Sequence, residues 1–215
     1  MTSLHLPSAL AGVMYLNLDR RTDRRQTVES VLARTQLPVV RIPAVDGQDL
    51  DLGWKSAMLP GEVACAIGHA QIWRKVLESG QTWLVAEDDL IGCQDWVDRF
   101  QSPLHLPEHW TMLMLGVSWP GPAAAVPGSD VSRVHSFCGC FSYVLTPAAA
   151  ETLLQLRRLI PGHVSDWYTQ RYNQESGSTY VVTPTWFIAG QDSDIAVRST
   201  SPDRWGRVWA DHRGT

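Results

Sequence analysis

The stretch Trp83-Leu84-Val85-Ala86-Glu87-Asp88-Asp89-Leu90 joins an apolar run to three consecutive acids. The apolar residues are typical of a central strand in a parallel sheet, and open α/β sheets bind their ligands where such strands end. Side chains two residues apart in an extended chain point the same way, so we expect Glu87 and Asp89 to converge and Asp88 to turn away. Converging carboxylates repel each other unless a cation separates them, and a divalent cation carrying phosphates meets that need. The alternative is a solvated acidic turn.

A second candidate site follows a predicted first strand at residues 13–18. The next segment, Asp19-Arg20-Arg21-Thr22-Asp23-Arg24-Arg25, contains four arginines, and a helix is predicted to begin there with Thr22 as its cap. The N-terminus of a helix is already positive because of the helix dipole, so arginines there do not favour stability. A bound phosphate would compensate this charge. The alternative is that the arginines point into solvent or pair with Asp19 and Asp23.

The rest of the chain alternates predicted strands and helices. Strands are expected at residues 38–42, 110–116, 141–145 and 180–182, and helices at residues 61–79, 147–160 and from Asp166 to about residue 172. His69, on the largely apolar helix at 61–79, is interpreted as a core histidine. Residues 120–129, rich in Pro, Gly and Ala, are expected to be a mobile loop. We predict a single α/β domain over residues 1–215, with a mixed, mostly parallel sheet flanked by helices and with flexible ends at 1–11 and about 199–215.

Charge and cysteine content restrict the function. The formal net charge of −4 gives no electrostatic reason for generic nucleic-acid binding, although nucleic acid as a specific substrate stays open. The four cysteines match no standard zinc pattern and predict free thiols in a reducing compartment. No apolar stretch approaches the roughly 18 residues of a membrane span, and no signal peptide is apparent. We therefore expect no transmembrane segment and a cytoplasmic protein, with peripheral attachment at the inner face of the membrane left open.

Four stretches together resemble glycosyltransferase family 25, the lipooligosaccharide and collagen galactosyltransferase-like family. They read YLNLDRRTDRR at residues 15–25, GEVACAIGH at 61–69, VAEDD at 85–89 and FSYVLTPAAA at 141–150, in the order in which the family has them. A weaker match continues through Asp166 and through Gln191 and residues 193–195.

The resemblance implies a GT-A-type, Rossmann-like fold that transfers a hexose, with galactose favoured, from a nucleotide sugar, with UDP favoured. The acceptor would be a hydroxyl on a glycan in lipooligosaccharide or glycan biosynthesis, and the reaction would invert the sugar. By the same resemblance, Asp89 and Glu87 hold Mn²⁺ or Mg²⁺. Asp166 is the candidate base for the acceptor hydroxyl, unless it caps the helix that begins at Trp167. The donor would be bound by Asn17, Asp19, Arg20, Arg24, Asp46, Glu87, Asp88 and Gln191.

Three alternatives remain open. The same acids and metal would serve a phosphohydrolase or a nucleotidyltransferase, but the sequence has no GxxxxGK[ST] loop and only Asp19 as an aspartyl nucleophile after the first strand. A non-catalytic binding module would keep the fold, but the intact acids argue against it. The acceptor hydroxyl would otherwise belong to a protein, a peptide or modified DNA.

Overall fold

The structure, a computed structural model, describes residues 1–51 and 58–190 of the chain. A short 3₁₀ helix, Gly47–Asp49, lies between the second and third α-helices. The α-helices are α1 (Leu6–Ala9), α2 (Thr22–Ala33), α3 (Pro60–Ser79), α4 (Trp96–Gln101), α5 (Pro147–Leu159) and α6 (Ser165–Ser176). The strands are β1 (Thr2–Leu4), β2 (Val13–Asn17), β3 (Val39–Pro43), β4 (Trp83–Glu87), β5 (Leu90–Gly92), β6 (Leu104–Leu106), β7 (Met112–Gly116), β8 (Trp119–Pro120), β9 (Ala123–Ala125), β10 (Val131–Val134), β11 (Phe137–Cys138), β12 (Ser142–Leu145), β13 (Thr179–Val182) and β14 (Phe187–Ala189).

One large sheet organises these elements. Its eight strands lie in the order β3-β2-β4-β12-β7-β13-β10-β9. From the strand pairings, only β12 and β10 run against the direction of the other six. The predicted α/β class with a mixed, mostly parallel sheet is therefore confirmed. Two-stranded ribbons, β1-β6, β11-β8 and β14-β5, lie outside the large sheet.

Helices cover both faces of the sheet because its central strands are apolar on both sides. In β4, Val85 joins the core formed with α3, α5 and α6, whereas Leu84 and Ala86 join the core formed with α1, α2 and α4. Burying one such Val or Leu side chain stabilises the fold by about 1.5–3 kcal/mol. The continuous apolar run of β4 thus requires a three-layer arrangement, with a layer of helices on each face.

Helix α3 approaches strand β2 closely. A Cβ atom on Gly68 would lie 2.9 Å from Cδ2 of Leu16, so a glycine is needed for this contact. The approach places the first half of α3 over the carboxyl ends of β2 and β4. His69 is completely buried there, as expected.

Several local expectations differ from the structure. Within residues 120–129, expected to be a mobile loop, Ala123–Ala125 form strand β9 and pair with β10, because three alanines carry no pattern that separates an edge strand from a loop. Residues 1–11 contain β1 and α1, and Leu6 is completely buried. The N-cap of α2 is Arg21, without a side-chain cap, and not Thr22. Among the described helices, none has the length and apolarity needed to span a bilayer.

Candidate active site

A cavity of about 250 Å³ opens where the parallel strands β2, β3 and β4 end. Helix α2 follows β2 on one face of the sheet, and α3 precedes β4 on the other face. Ligands of open α/β sheets bind at such a point, where the chain connections diverge to opposite sides. The cavity is lined by residues 16–18 at the end of β2 and residues 87–89 at the end of β4. The other lining residues are Arg20, Arg24, residues 44–48, residues 59–61, 64 and 65.

Most of the predicted site residues meet at this cavity. The residues that line it are Asn17, Arg20, Arg24, Asp46, Glu87, Asp88 and Asp89. Asp19 lies outside the lining, with a side chain that is 81% exposed and ion-paired with Arg41. Asp166 also lies outside the lining. Gln191 is beyond the described residues.

Asp88 is bound to the segment that begins α2. Arg24 Nη1 donates to Asp88 Oδ1 at 2.8 Å, and Asn17 Nδ2 donates to Asp88 Oδ2 at 2.7 Å. Burial raises the pKa of Asp88, whereas these two donors act to lower it. Arg41 in turn holds Asn17, since its Nε donates to Asn17 Oδ1 at 2.9 Å. The site therefore contains a continuous chain of contacts from Arg41 to Asp88.

Each of the four arginines around the start of α2 has a carboxylate partner. The pairs are Arg20–Asp46 at 2.6 Å, Arg21–Asp23 at 3.0 Å, Arg24–Asp88 at 2.8 Å and Arg25–Glu29 at 3.0 Å. The fold itself thus balances the positive charge at this helix end. The arginine cluster alone does not require a bound anion, although Arg20 and Arg24 both line the cavity.

Asp89 differs from its neighbours because its buried Oδ1 atom has no hydrogen-bond partner among the described residues. Burial raises the pKa of Asp89 from 3.8 to about 7, and repulsion from Glu87 adds to this effect. A cation would relieve both the desolvation and the repulsion. Carboxylate oxygens are the ligands that Mg²⁺ and Mn²⁺ prefer. Glu87 and Asp89 therefore fit the divalent cation that the sequence predicts.

Glu87 contacts a buried network on its other side. Trp73 Nε1 donates to the Tyr143 hydroxyl at 2.8 Å, that hydroxyl lies 2.9 Å from His69 Nδ1, and His69 Nε2 lies 3.1 Å from Glu87 Oε1. Since an indole nitrogen only donates, every group is satisfied when the Tyr143 hydroxyl donates to His69 Nδ1. We assign the His69 proton to Nε2 on this basis, so that it donates to the Glu87 carboxylate.

Asp166 is the second residue of α6, whose N-cap is Val164. The interpretation of Asp166 as a helix cap is therefore wrong. Its Oδ2 accepts a hydrogen bond from the backbone N–H of Gly139 at 2.9 Å, and Gly139 has a φ of 88°, which favours glycine. The pKa of Asp166 is raised to about 6, mainly by burial and to a smaller extent by Glu87, whereas the Gly139 hydrogen bond and His69 act to lower it. Asp166 is thus close enough to Glu87 and His69 to interact with both electrostatically.

The sequence reasoning missed Cys65, Arg41 and the pair Trp73 and Tyr143. Cys65 lines the cavity, and the spacing of Cys65 and His69, four residues apart on a predicted helix, was an available signal. Arg41 gave no signal, because its role depends on the pairing of β3 with β2. The contacts of Trp73 and Tyr143 join elements 70 residues apart.

A protein-family model described as Glycosyltransferase family 25 (LPS biosynthesis protein) matches residues 13–104. Procollagen galactosyltransferase 1 from Danio rerio is 26% identical over 200 residues, which cover 79% of this chain and 32% of that protein. Procollagen galactosyltransferase 2 from Homo sapiens is 30% identical over 203 residues, which cover 78% of this chain and 31% of that protein. The chain thus spans about a third of the length of these relatives.

The crystal structure of a glycosyltransferase involved in the glycosylation of the major capsid of PBCV-1 has a similar fold. The TM-score is 0.52 at 11% sequence identity, and the match covers 86% of this chain and 95% of that chain. This likeness supports the fold class and, at such low identity, nothing finer. The match over residues 13–104 and the named relatives confirm the resemblance to glycosyltransferase family 25 that the sequence motifs predict.

Proposed function

We propose that this chain is a metal-dependent glycosyltransferase that moves a hexose, with galactose favoured, from a UDP donor to an acceptor hydroxyl. One observation carries the proposal: Arg20 and Arg24 line the same cavity as Glu87 and Asp89. A cavity lined by both guanidinium groups and carboxylates suits a diphosphate that carries a divalent cation. A nucleoside-diphosphate sugar is a ligand of this kind, and the relatives named above are called galactosyltransferases.

The arginines would bind the diphosphate. Arg24 is held by Asp88 with its side chain 12% exposed, and Arg20 is held by Asp46 with its side chain 39% exposed. These ion pairs fix both guanidinium groups beside the cavity before a donor arrives, which lowers the entropic cost of ordering them. Asn17, fixed by Arg41 and bonded to Asp88, supports Arg24 from the end of β2.

Glu87 and Asp89 would hold Mn²⁺ or Mg²⁺. When bound, such a cation neutralises the charge that develops on the diphosphate leaving group. Asp89 would contribute the buried Oδ1, for which the described part of the chain supplies no hydrogen-bond partner. His69 donates to Glu87 Oε1 at 3.1 Å and so limits the rotation of this carboxylate.

Asp166 is the proposed base in an inverting reaction. A base of this kind removes the proton of the acceptor hydroxyl on the sugar face opposite the leaving group. Asp166 does not line the arginine-containing cavity, which agrees with a role away from the diphosphate. Its pKa of about 6 makes it more basic than an ordinary aspartate while leaving it ionised at neutral pH.

The acceptor is proposed as a hydroxyl on a glycan, in lipooligosaccharide or related glycan biosynthesis. The family description names LPS biosynthesis, whereas the relatives' names point to a hydroxyl on procollagen, which keeps a protein acceptor as the second candidate. All four cysteines are free thiols, which supports a reducing, cytoplasmic location.

Calorimetric titration of UDP-galactose, with Mn²⁺ or with a chelator, tests the donor site. Arg24→Gln removes a charge that lines the cavity, and Arg25→Gln is the matched control, since Arg25 is ion-paired on the same helix but does not line the cavity. A lost charge-assisted hydrogen bond costs about 1.5–3 kcal/mol, so we expect Arg24→Gln to weaken binding roughly 10- to 100-fold and Arg25→Gln to leave it unchanged.

Equal affinities in the two variants, or wild-type binding that ignores Mn²⁺, would contradict the proposed donor site. Release of phosphate from UDP-sugars without any acceptor would instead favour the phosphohydrolase alternative. Melting temperatures of the ligand-free variants, measured in parallel, separate lost binding from lost folding.

A further inference from the structure

Three side chains with different ligand atoms meet at the inner wall of the cavity. The ligand atoms of Cys65, His69 and Glu87 all lie within 4.8 Å of one another. Cys65 and His69 are four residues apart on α3, so they lie on the same face of the helix. Glu87, at the end of β4, reaches this face, with its Oε1 3.1 Å from His69 Nε2. These are the only three described residues grouped in this way.

The chemistry of this group differs from that of Asp89. A thiolate sulfur, an imidazole nitrogen and a carboxylate oxygen are the ligands of Zn²⁺ and related thiophilic ions, whereas Mg²⁺ and Mn²⁺ prefer sites made of oxygen. Three protein ligands with an open fourth position are typical of zinc sites that remain accessible. Cys65 and Glu87 both line the cavity, so an ion and a fourth ligand have a route in.

We propose that Cys65, His69 and Glu87 form a binding site for a thiophilic divalent cation, with Zn²⁺ as the fitting ion. Binding releases the Cys65 thiol proton and replaces the His69–Glu87 hydrogen bond with two coordination bonds. The imidazole proton moves from Nε2 to Nδ1 and forms a hydrogen bond to the Tyr143 hydroxyl oxygen, 2.9 Å away. The Tyr143 hydroxyl proton then loses His69 Nδ1 as its acceptor, which is one cost of binding. A metal-bound histidine usually donates its second ring N–H in this way.

A second physical cost opposes the site. Burial raises the pKa of the Cys65 thiol well above its usual range, so the thiol is protonated in the metal-free protein and coordination has to displace that proton. The Ser165 hydroxyl, 3.6 Å from the Cys65 sulfur, partly offsets this cost as a potential donor to the thiolate. Binding of Zn²⁺ to protein ligands generally releases such protons.

The proposed thiophilic-ion site and the proposed donor-site cation both use Glu87 as a ligand. The same carboxylate is proposed above as a ligand of the donor-site cation, so both ions compete for it. Zn²⁺ would therefore weaken Mn²⁺-dependent binding of UDP-galactose. This consequence rests on the proposed function, but the metal site itself does not.

Titration of the chelator-treated protein with Co²⁺ under anaerobic conditions tests the site without any nucleotide. Thiolate coordination to Co²⁺ produces an intense charge-transfer absorption in the near ultraviolet, which oxygen and nitrogen ligands do not produce. We expect this band to saturate at one equivalent of Co²⁺ and to disappear when Zn²⁺ is added. Cys65→Ser should abolish the band.

Two matched variants identify the source of the band. Cys93→Ser removes a free thiol that belongs to neither site and should keep the band. Asp89→Asn should also keep it, because Asp89 is not one of the three ligands. The proposal is overturned by the absence of a near-ultraviolet band in the wild-type protein, or by a band that persists in a folded Cys65→Ser variant. Failure of UDP-galactose to bind would contradict the proposed function and leave this result intact.

Discussion

Replacing Asp89 by asparagine should stabilise the protein when no divalent cation is present. The Asp89 carboxylate is buried, its Oδ1 atom lacks a hydrogen-bond partner among the described residues, and Glu87 repels it. Asparagine has the same shape and carries no charge. The variant therefore removes the electrostatic cost of the ionised carboxylate in the folded protein. Such a loss of stability in the wild-type protein is expected at a residue that serves the proposed cation binding.

The size of the penalty follows from the pKa of Asp89, which is raised from 3.8 to about 7. Each pKa unit corresponds to 1.36 kcal/mol, so the ionised form destabilises the folded protein by about 4 kcal/mol at pH 8. The new amide lacks some hydrogen-bond partners, which costs about 1–3 kcal/mol. A net stabilisation of about 1–3 kcal/mol remains at pH 8.

The dependence on pH has a definite sign. Because the folded protein holds this proton more tightly than the unfolded chain, the contribution of Asp89 to stability is fully present below pH 3.8 and is lost as the pH rises through about 7. Between pH 5 and pH 8 the wild-type protein should therefore lose about 3 kcal/mol more than Asp89→Asn. For a chain of this size, that corresponds to about 6–12 °C in melting temperature.

Differential scanning calorimetry at pH 5 and pH 8, with a chelator present, measures both the stabilisation at pH 8 and the change in stability between the two pH values. The control is Asp19→Asn, at a carboxylate whose side chain is 81% exposed and outside the cavity lining. The control should change the melting temperature by the same small amount at both pH values. A lower melting temperature for Asp89→Asn at both pH values, by an equal amount, would refute the reasoning, because it would mean that the ionised carboxylate is stabilising.

Two further predictions concern the buried network and the proposed base. Tyr143→Phe leaves Trp73 Nε1 and His69 Nδ1 without their partner, so urea denaturation should show a free energy of unfolding lower by about 2–4 kcal/mol. The control is Tyr180→Phe, at a hydroxyl that accepts from an arginine, and it should lower the free energy of unfolding clearly less. Equal losses in the two variants would contradict the network. Asp166→Asn should lower donor turnover by about 10²–10⁴ with unchanged affinity for UDP and Mn²⁺. The wild-type rate should also fall as the pH drops below about 6, and a variant with wild-type turnover would exclude Asp166 as the base.

The sheet core could be predicted from the sequence because its central strands β4 and β7 are almost entirely apolar. The run before Glu87 indicated the position of β4, and the alternation of strands and helices predicted a mostly parallel sheet but not the strand order β3-β2-β4. The direction of β12 could not be predicted. All four residues of Ser142–Leu145 are buried, and a fully buried strand has the same pattern in either direction. Only the long connections around it decide that β12 runs against β4 and β7.

The carboxylate partners of Arg20 and Arg24 could not be predicted from neighbouring residues in the sequence, for a different reason. The sequence indicated an uncompensated charge at the start of α2, because the strongest carboxylate partners are far away along the chain. Asp46 lies 26 residues from Arg20, and Asp88 lies 64 residues from Arg24. Both partners become neighbours only when β2, β3 and β4 pair. Of the four arginines in the anion-site prediction, Arg20 and Arg24 line the cavity, and the prediction overestimated the unbalanced charge.

The three consecutive acids are best understood as one site with three different environments. Strand β4 ends at Glu87, and Asp88 and Asp89 occupy the turn that follows, so the strict alternation of an extended strand no longer applies to them. Asp88 is neutralised by Arg24 and Glu87 is held by His69, whereas Asp89 keeps a buried oxygen that has no partner within residues 1–51 and 58–190. Beside Asp89, a bound cation would find the Asp88 carboxylate ion-paired with an arginine and the Glu87 carboxylate oriented by a buried histidine. Helix α3 places Cys65 and His69 together beside Glu87. If both proposed metal sites are correct, oxygen-preferring ions would bind on the Asp89 side and thiophilic ions on the α3 side, and Glu87 would couple the two sites.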